Sequence, residues 1–198
     1  MKNKSILIVA MVIVALFGDG CKQNAVTEKS DPKETYLNAL KKLKEVKFYT
    51  AKQNFSATSS ISYAFIAPDK KKTDVVLNGK TVGIIYIGSD KYSGSDANGY
   101  TKSAVESSDK KENWQFPTKE IFYDPDKIEK VKFVKKDTIE GREGFSYQDE
   151  NSGTLLFISA ETGLPLRVAA LGSTDDSIIV TDYFYDKEPK IEVPTNVK

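Results

Sequence analysis

The 198-residue chain contains no histidine, one cysteine, one tryptophan and only two arginines, Arg142 and Arg167. Each scarcity excludes a chemistry. Without histidine there is no Ser-His-Asp triad, no Cys-His dyad, no imidazole base and no zinc site built on imidazole. A single cysteine forms no internal disulfide and supplies neither a CxxC redox pair nor an all-cysteine metal site. Charge of either sign is not in excess: 29 Lys+Arg stand against 28 Asp+Glu. Nucleic-acid readers ordinarily carry a basic surplus rich in arginine. No Walker loop or GxGxxG marks a phosphate or dinucleotide cradle, and no cofactor or metal is expected.

The chemistry that survives these exclusions is thin. Ser107-Ser108-Asp109-Lys110 has the S-x-x-K spacing of a Ser-Lys dyad, but no K-T-G or S-D-N accompanies it, and a Lys- and Ser-rich loop produces such a match by chance. Gly94 to Gly99 superficially suggests a calcium loop. It lacks the leading carboxylate, the closing Glu and the flanking helices, and reads as a hairpin turn. Carboxylates are abundant, yet none stands in an apolar context that would raise its pKa for acid catalysis, and Asp175-Asp176 reads as a solvated turn. Ten tyrosines could stack on sugars, but their spacing along strands fits core and sheet-face positions better. The chain reads as non-enzymatic.

What is present begins with an export signal over residues 1–20. Lys2 and Lys4 precede an unbroken apolar run, Ile6 to Phe17, which is shorter than the about 20 residues a membrane-spanning helix needs. Small residues follow at Gly18 and Gly20, and then Cys21. This placement resembles the lipobox of bacterial lipoproteins, in which the cysteine is lipidated and becomes the first mature residue. It departs from that pattern at Gly18 and Asp19, where Leu and Ala or Ser are preferred. The other readings are a secreted protein with a spare thiol, or an uncleaved short anchor. Lipidation at Cys21 would anchor the chain to the bacterial cell or outer membrane, facing the periplasm or the exterior, since stable anchoring takes more than one acyl chain. Residues 21–30 then form a polar, aperiodic tether.

Residues 31–198 read as one domain, mainly β with helices (α+β). Asp31 can cap a helix, Pro32 fits its first position and Glu34 sits three after the cap. Tyr36, Leu37, Leu40, Leu43 and Val46 recur at helical spacing. After Lys47 the period changes to 2, and about ten short strands follow in what reads as an antiparallel meander. Asn78-Gly79 is a strong hairpin signal. A helical interruption holding Trp114 is expected between Ala104 and Asp126, and a short last strand at Ile191 to Val193. Ile84 to Ile87, Leu155 to Ile158 and Ile178 to Val180 are apolar on both faces. Such strands are covered on both sides or curl around something apolar, either simple helix packing or a lined cavity.

The order of elements, with the hairpin Glu161-Thr162-Gly163-Leu164-Pro165-Leu166-Arg167, resembles the lipoprotein-localisation (Lol) carrier and receptor superfamily, including mycobacterial lipid-carrying lipoproteins. The steps Tyr63…Ala67-Pro68-Asp69-Lys70 and Ile87-Gly88…Lys91-Tyr92 fit the same pattern. The resemblance implies a half-open antiparallel β-barrel covered by helices, whose apolar cavity holds a lipid or lipoprotein acyl chain. Candidate lining residues are Tyr63, Phe65, Ile85, Ile87, Leu156, Ile158, Leu166 and Val168. The lid-fastening arginine of the soluble carrier has no match. A second reading is a lipoprotein that uses the fold as a sensor or interaction module for an envelope protein partner.

Overall fold

The computed structural model describes residues 26–106, 128–171 and 178–198. Cys21, the export signal, the Ser107–Lys110 spacing, the Trp114 segment and Asp175-Asp176 lie outside the described residues. Helix α1 (Pro32–Glu45) forms where its cap signals place it: Asp31 Oδ1 accepts the Glu34 amide at 2.7 Å, with Pro32 in the first turn.

Eleven strands follow: β1 (Phe48–Ser56), β2 (Ser59–Ile66), β3 (Lys70–Leu77), β4 (Lys80–Ile87), β5 (Asp90–Ser95), β6 (Gly99–Ala104), β7 (Val131–Ile139), β8 (Arg142–Asp149), β9 (Leu155–Ser159), β10 (Pro165–Leu171) and β11 (Ile178–Phe184). They make one antiparallel sheet in the order β6-β5-β4-β3-β2-β1-β11-β10-β9-β8-β7. It is two meanders rather than one, sewn together where β1 pairs with β11 through Thr50–Phe184 and Gln53–Thr181. The chain therefore passes from one edge of the sheet, β6, to the other, β7. These edges do not pair, so the sheet is a half-open barrel and not a closed one.

Two turns show why the hairpins close tightly. Asn78 (φ 51°) and Gly79 (φ 75°) both occupy the left-handed region that a two-residue hairpin with matching twist requires. Glu140 (φ 52°) and Gly141 (φ 77°) repeat the arrangement between β7 and β8.

Curvature follows from the core. Phe65 on β2 and Tyr147 on β8 belong to one buried cluster, although five strand intervals of about 4.8 Å would separate them across a flat sheet. The concave face collects Tyr49, Ala51, Tyr63, Phe65, Phe145, Tyr147, Leu156, Ile158, Val168 and Tyr183 against Tyr36, Ala39, Leu40 and Leu43 of α1. At about 25 cal/mol per Å² of apolar area removed from water, this cluster is the main stabilising term.

The opposite face of β3 to β6 is covered differently. Residues 186–198 leave β11 and run back over it, and no strand forms at Ile191 to Val193, contrary to the sequence expectation. Ile191 instead buries its side chain among Ile85, Tyr92 and Tyr100. Beyond it, Asn196 O accepts the Tyr100 amide at 3.0 Å, and the Lys198 amide donates to Tyr100 O at 2.8 Å. The free edge of β6 thus has a short cover of its own.

Candidate functional site

Pairing register decides which of the eight expected lining residues meet. Tyr49 lies opposite Phe65, and Ala51 opposite Tyr63. Across the other half, Val168 is opposite Thr181 on one side and Leu156 on the other, and Leu156 is opposite Tyr147. Tyr63, Phe65, Leu156, Ile158 and Val168 therefore share the concave face, where all five are buried with the apolar stripe of α1.

Ile85 and Ile87 do not join them. Ala64 pairs with Lys72 and Lys72 with Ile85, which puts Ile85 on the face opposite Tyr63. There both isoleucines belong to the cluster closed by Ile191. Leu166 stands apart from both groups. The β10–β9 register shifts between Pro165 and Arg167, and the buried Leu166 lines a cleft at the end of the half-barrel.

The concave interior is more polar than an aliphatic core, in ways the sequence reading did not single out. Gln53 Nε2 donates to Thr181 Oγ1 at 2.8 Å, and Tyr63 OH donates to Gln53 Oε1 at 3.2 Å. Beside this chain lie the fully buried Tyr49 and Tyr183, ring centroids 5.8 Å apart, whose hydroxyls have no hydrogen-bond partner among the described residues. Tyr185 stacks on Tyr183 at 6.3 Å and donates its hydroxyl to Pro165 O at 2.6 Å. Burial first, and then the neighbouring tyrosines, push Tyr49 and Tyr183 far above the usual phenol range. Tyr185 is raised in the same way, chiefly by burial. The period-2 spacing of Tyr49, Ala51, Gln53 and of Thr181, Tyr183, Tyr185 is the signal that marks this face. What it lacks without a structure is the β1–β11 pairing that joins the two runs.

The cleft at the barrel end measures about 980 Å³. Three chain reversals meet there: the Glu140-Gly141 turn, the 159–164 turn between β9 and β10, and the exit of β11 at residues 184–186. Leu164, Leu166, Phe184 and Tyr185 supply apolar surface, and Glu140, Glu143, Glu161 and Asp186 stand around it. Among the described residues Arg142 is the one cation in the lining. Its guanidinium lies 4.9 Å from the Phe184 ring centroid, donates to Tyr183 O at 2.7 Å and pairs with Glu140 at 3.4 Å. Among the described residues no group of three or more Cys, Asp or Glu could hold a metal ion, and no helix is long and apolar enough to cross a membrane.

No protein-family model matches the chain, and no curated protein matches it in sequence. Solved structures do match in shape. LprF from Mycobacterium bovis aligns at a TM-score of 0.53 and 11% identity, over 84% of this chain and 99% of that one. The Mycobacterium tuberculosis lipoprotein LppX aligns at 0.54 and 10% identity, over 81% and 97%. MucB aligns at 0.51 and 12% identity over 83% of this chain and 63% of its own, and a further MucB structure is of its complex with the periplasmic part of MucA. At these identities the likeness establishes the architecture alone: the chain has the open antiparallel sheet with a helix against it that is found in LprF and LppX.

Proposed function

We propose that the protein is a membrane-anchored, non-enzymatic member of the Lol-like superfamily that binds a lipid or lipoprotein acyl chain on the concave face of the half-barrel. The observation that carries this reading is how that face is covered. A sheet of eleven strands with unpaired edges buries Tyr63, Phe65, Leu156, Ile158 and Val168 against an amphipathic helix rather than a second sheet. An acyl chain presents to those side chains the same kind of surface as the apolar stripe of α1, so it can lie alongside that stripe or take its place. Binding of this kind draws on buried apolar area and needs no nucleophile, metal or group titrating near neutrality. The absence of histidine and the poverty of other catalytic motifs accord with it. Cys21 is the proposed lipid anchor, which would hold the domain on the bacterial cell membrane or outer membrane, facing the periplasm or the exterior.

The test is extraction of the full-length protein from native membranes, followed by mass spectrometry of co-purified lipid and by phospholipid competition against a hydrophobic dye. Lipid recovered in a fixed ratio, with dye displaced, is the expected result. Recovery of no lipid, together with no displacement of the dye, overturns the reading. For the anchor, Cys21→Ser should leave the chain soluble or unprocessed. A sensor or interaction module binding an envelope protein is the second reading, and the MucB–MucA complex on a related architecture supports it.

A further inference from the structure

We infer that the cleft between the Glu140-Gly141 turn, the 159–164 turn and the end of β11 is a docking site for a basic, apolar peptide segment of a partner protein. The inference is independent of acyl-chain binding, because none of the five buried residues proposed to meet the acyl chain lines the cleft, although Ala160 and Tyr185 border both.

Its chemistry selects the occupant by charge. The floor offers Leu164, Leu166 and the rings of Phe184 and Tyr185, while four carboxylates, Glu140, Glu143, Glu161 and Asp186, stand around it against the single guanidinium of Arg142. That guanidinium is already engaged, by the Tyr183 carbonyl, Glu140 and the Phe184 ring. Its positive charge therefore does little to neutralise the rest of the rim. Glu143 is 3.7 Å from Lys136, a pair so exposed that it leaves the carboxylate hydrated and available (side chains 67% and 51% accessible). Among the described residues the lining itself carries four carboxylates against one guanidinium, with Lys136 beside Glu143 and Lys42 on the Thr162 carbonyl at its margin, on a chain whose total is nearly balanced. An apolar floor with a mainly acidic rim fits a segment that sets aliphatic or aromatic side chains between lysines or arginines.

An amine-bearing lipid headgroup is a poorer match, because its phosphate would face the same carboxylates. The floor is also preformed: Arg142 holds Phe184 from one side, and Tyr185 is fixed by its bond to Pro165 O and its stacking on Tyr183. Little ordering cost remains for the partner to offset.

The experiment uses the full chain from Cys21 onward and a ten-residue peptide alternating lysine and leucine, with the glutamate–leucine peptide as its counterpart, followed by fluorescence anisotropy at low salt. The lysine peptide should bind and the glutamate peptide should not. Reversing Glu161 and Asp186 together to lysine should weaken binding by about five- to tenfold, and added salt should weaken the unmodified protein similarly. Glu150→Lys, at the opposite end of the barrel, should change affinity less than twofold. Leu164→Ser, checked by circular dichroism for intact folding, tests the floor and should weaken binding while leaving its salt dependence intact. Equal binding of both peptides, an equal loss in Glu150→Lys, or no loss in the double reversal overturns the inference. So does binding of the protein to phosphatidylethanolamine vesicles through the same carboxylates with no peptide binding.

Discussion

Tyr183→Phe should leave the protein more stable, against the usual direction for a substitution in a core. The ring of Tyr183 is fully buried between Tyr49 and Tyr185, and its hydroxyl has no hydrogen-bond partner among the described residues. A buried, unpaired hydroxyl costs about 1–3 kcal/mol of desolvation. Removing one oxygen leaves a void on the order of 10 Å³, which at about 24 cal/mol per Å³ costs only about 0.3 kcal/mol. The net expectation is a gain of about 1 kcal/mol or somewhat more. With a urea slope of about 2 kcal/mol/M the unfolding midpoint should rise by about 0.5 M at unchanged slope. Tyr63→Phe is the control, because its hydroxyl is bonded to Gln53; it should lose about 1 kcal/mol. If Tyr183→Phe loses stability as Tyr63→Phe does, the Tyr183 hydroxyl is paired in the folded protein and the reasoning fails.

Gly144→Ala should be strongly destabilising, by about 2–3 kcal/mol in thermal unfolding, because a Cβ there would sit 2.4 Å from Ile158 O and 2.7 Å from the Phe157 ring. Arg167 makes a two-point contact with the carboxylate of the largely buried Asp182, one arm at 3.0 Å. Asp182→Ala should cost about 1–2 kcal/mol, and the double variant with Arg167→Ala should cost less than the two single losses added. Alkaline pH should destabilise the fold. Tyr49, Tyr183 and Tyr185 are raised above the phenol's ordinary value, so above about pH 10 the unfolded chain releases protons that the folded one retains. Stability is therefore full below pH 10 and falls as pH rises beyond it, and ultraviolet titration should show these tyrosines ionising only with unfolding. Deleting residues 190–198 should make the protein aggregate, read by light scattering, because it uncovers Ile85, Tyr92, Tyr100 and the edge of β6.

Local features of the fold were written plainly in the chain, and long-range ones were not. Asp31, Pro32 and Glu34 mark the start of α1, and Asn78-Gly79 marks its hairpin, because capping and turn conformations depend on residues a few positions apart. Which face of a strand turns inward depends on pairing. Ile85 and Leu156 sit in similar apolar runs, yet one lies under residues 186–198 and the other under α1. Nothing within either run distinguishes them. Only the pairing of β1 with β11, two segments separated by more than a hundred residues, sets the inner face. The same pairing explains why one meander was expected where there are two. Leu166 escaped the alternation rule because the register shift before Arg167 moves it out of phase.

That central seam also has a kinetic consequence. β1 is made early and finds β2 at once, but its other neighbour, β11, is synthesised last of the strands, and the Gln53–Thr181 bond closes a loop of 128 residues. Until then the N-terminal meander presents β1 as an unprotected edge carrying Tyr49 and Ala51, and the second meander lacks the strand it docks against. Contacts of such high sequence separation slow folding and lengthen the life of sticky intermediates. The chain should fold late and as a whole, with a rate governed by the meeting of its two halves, and it should depend on holding factors until β11 is available.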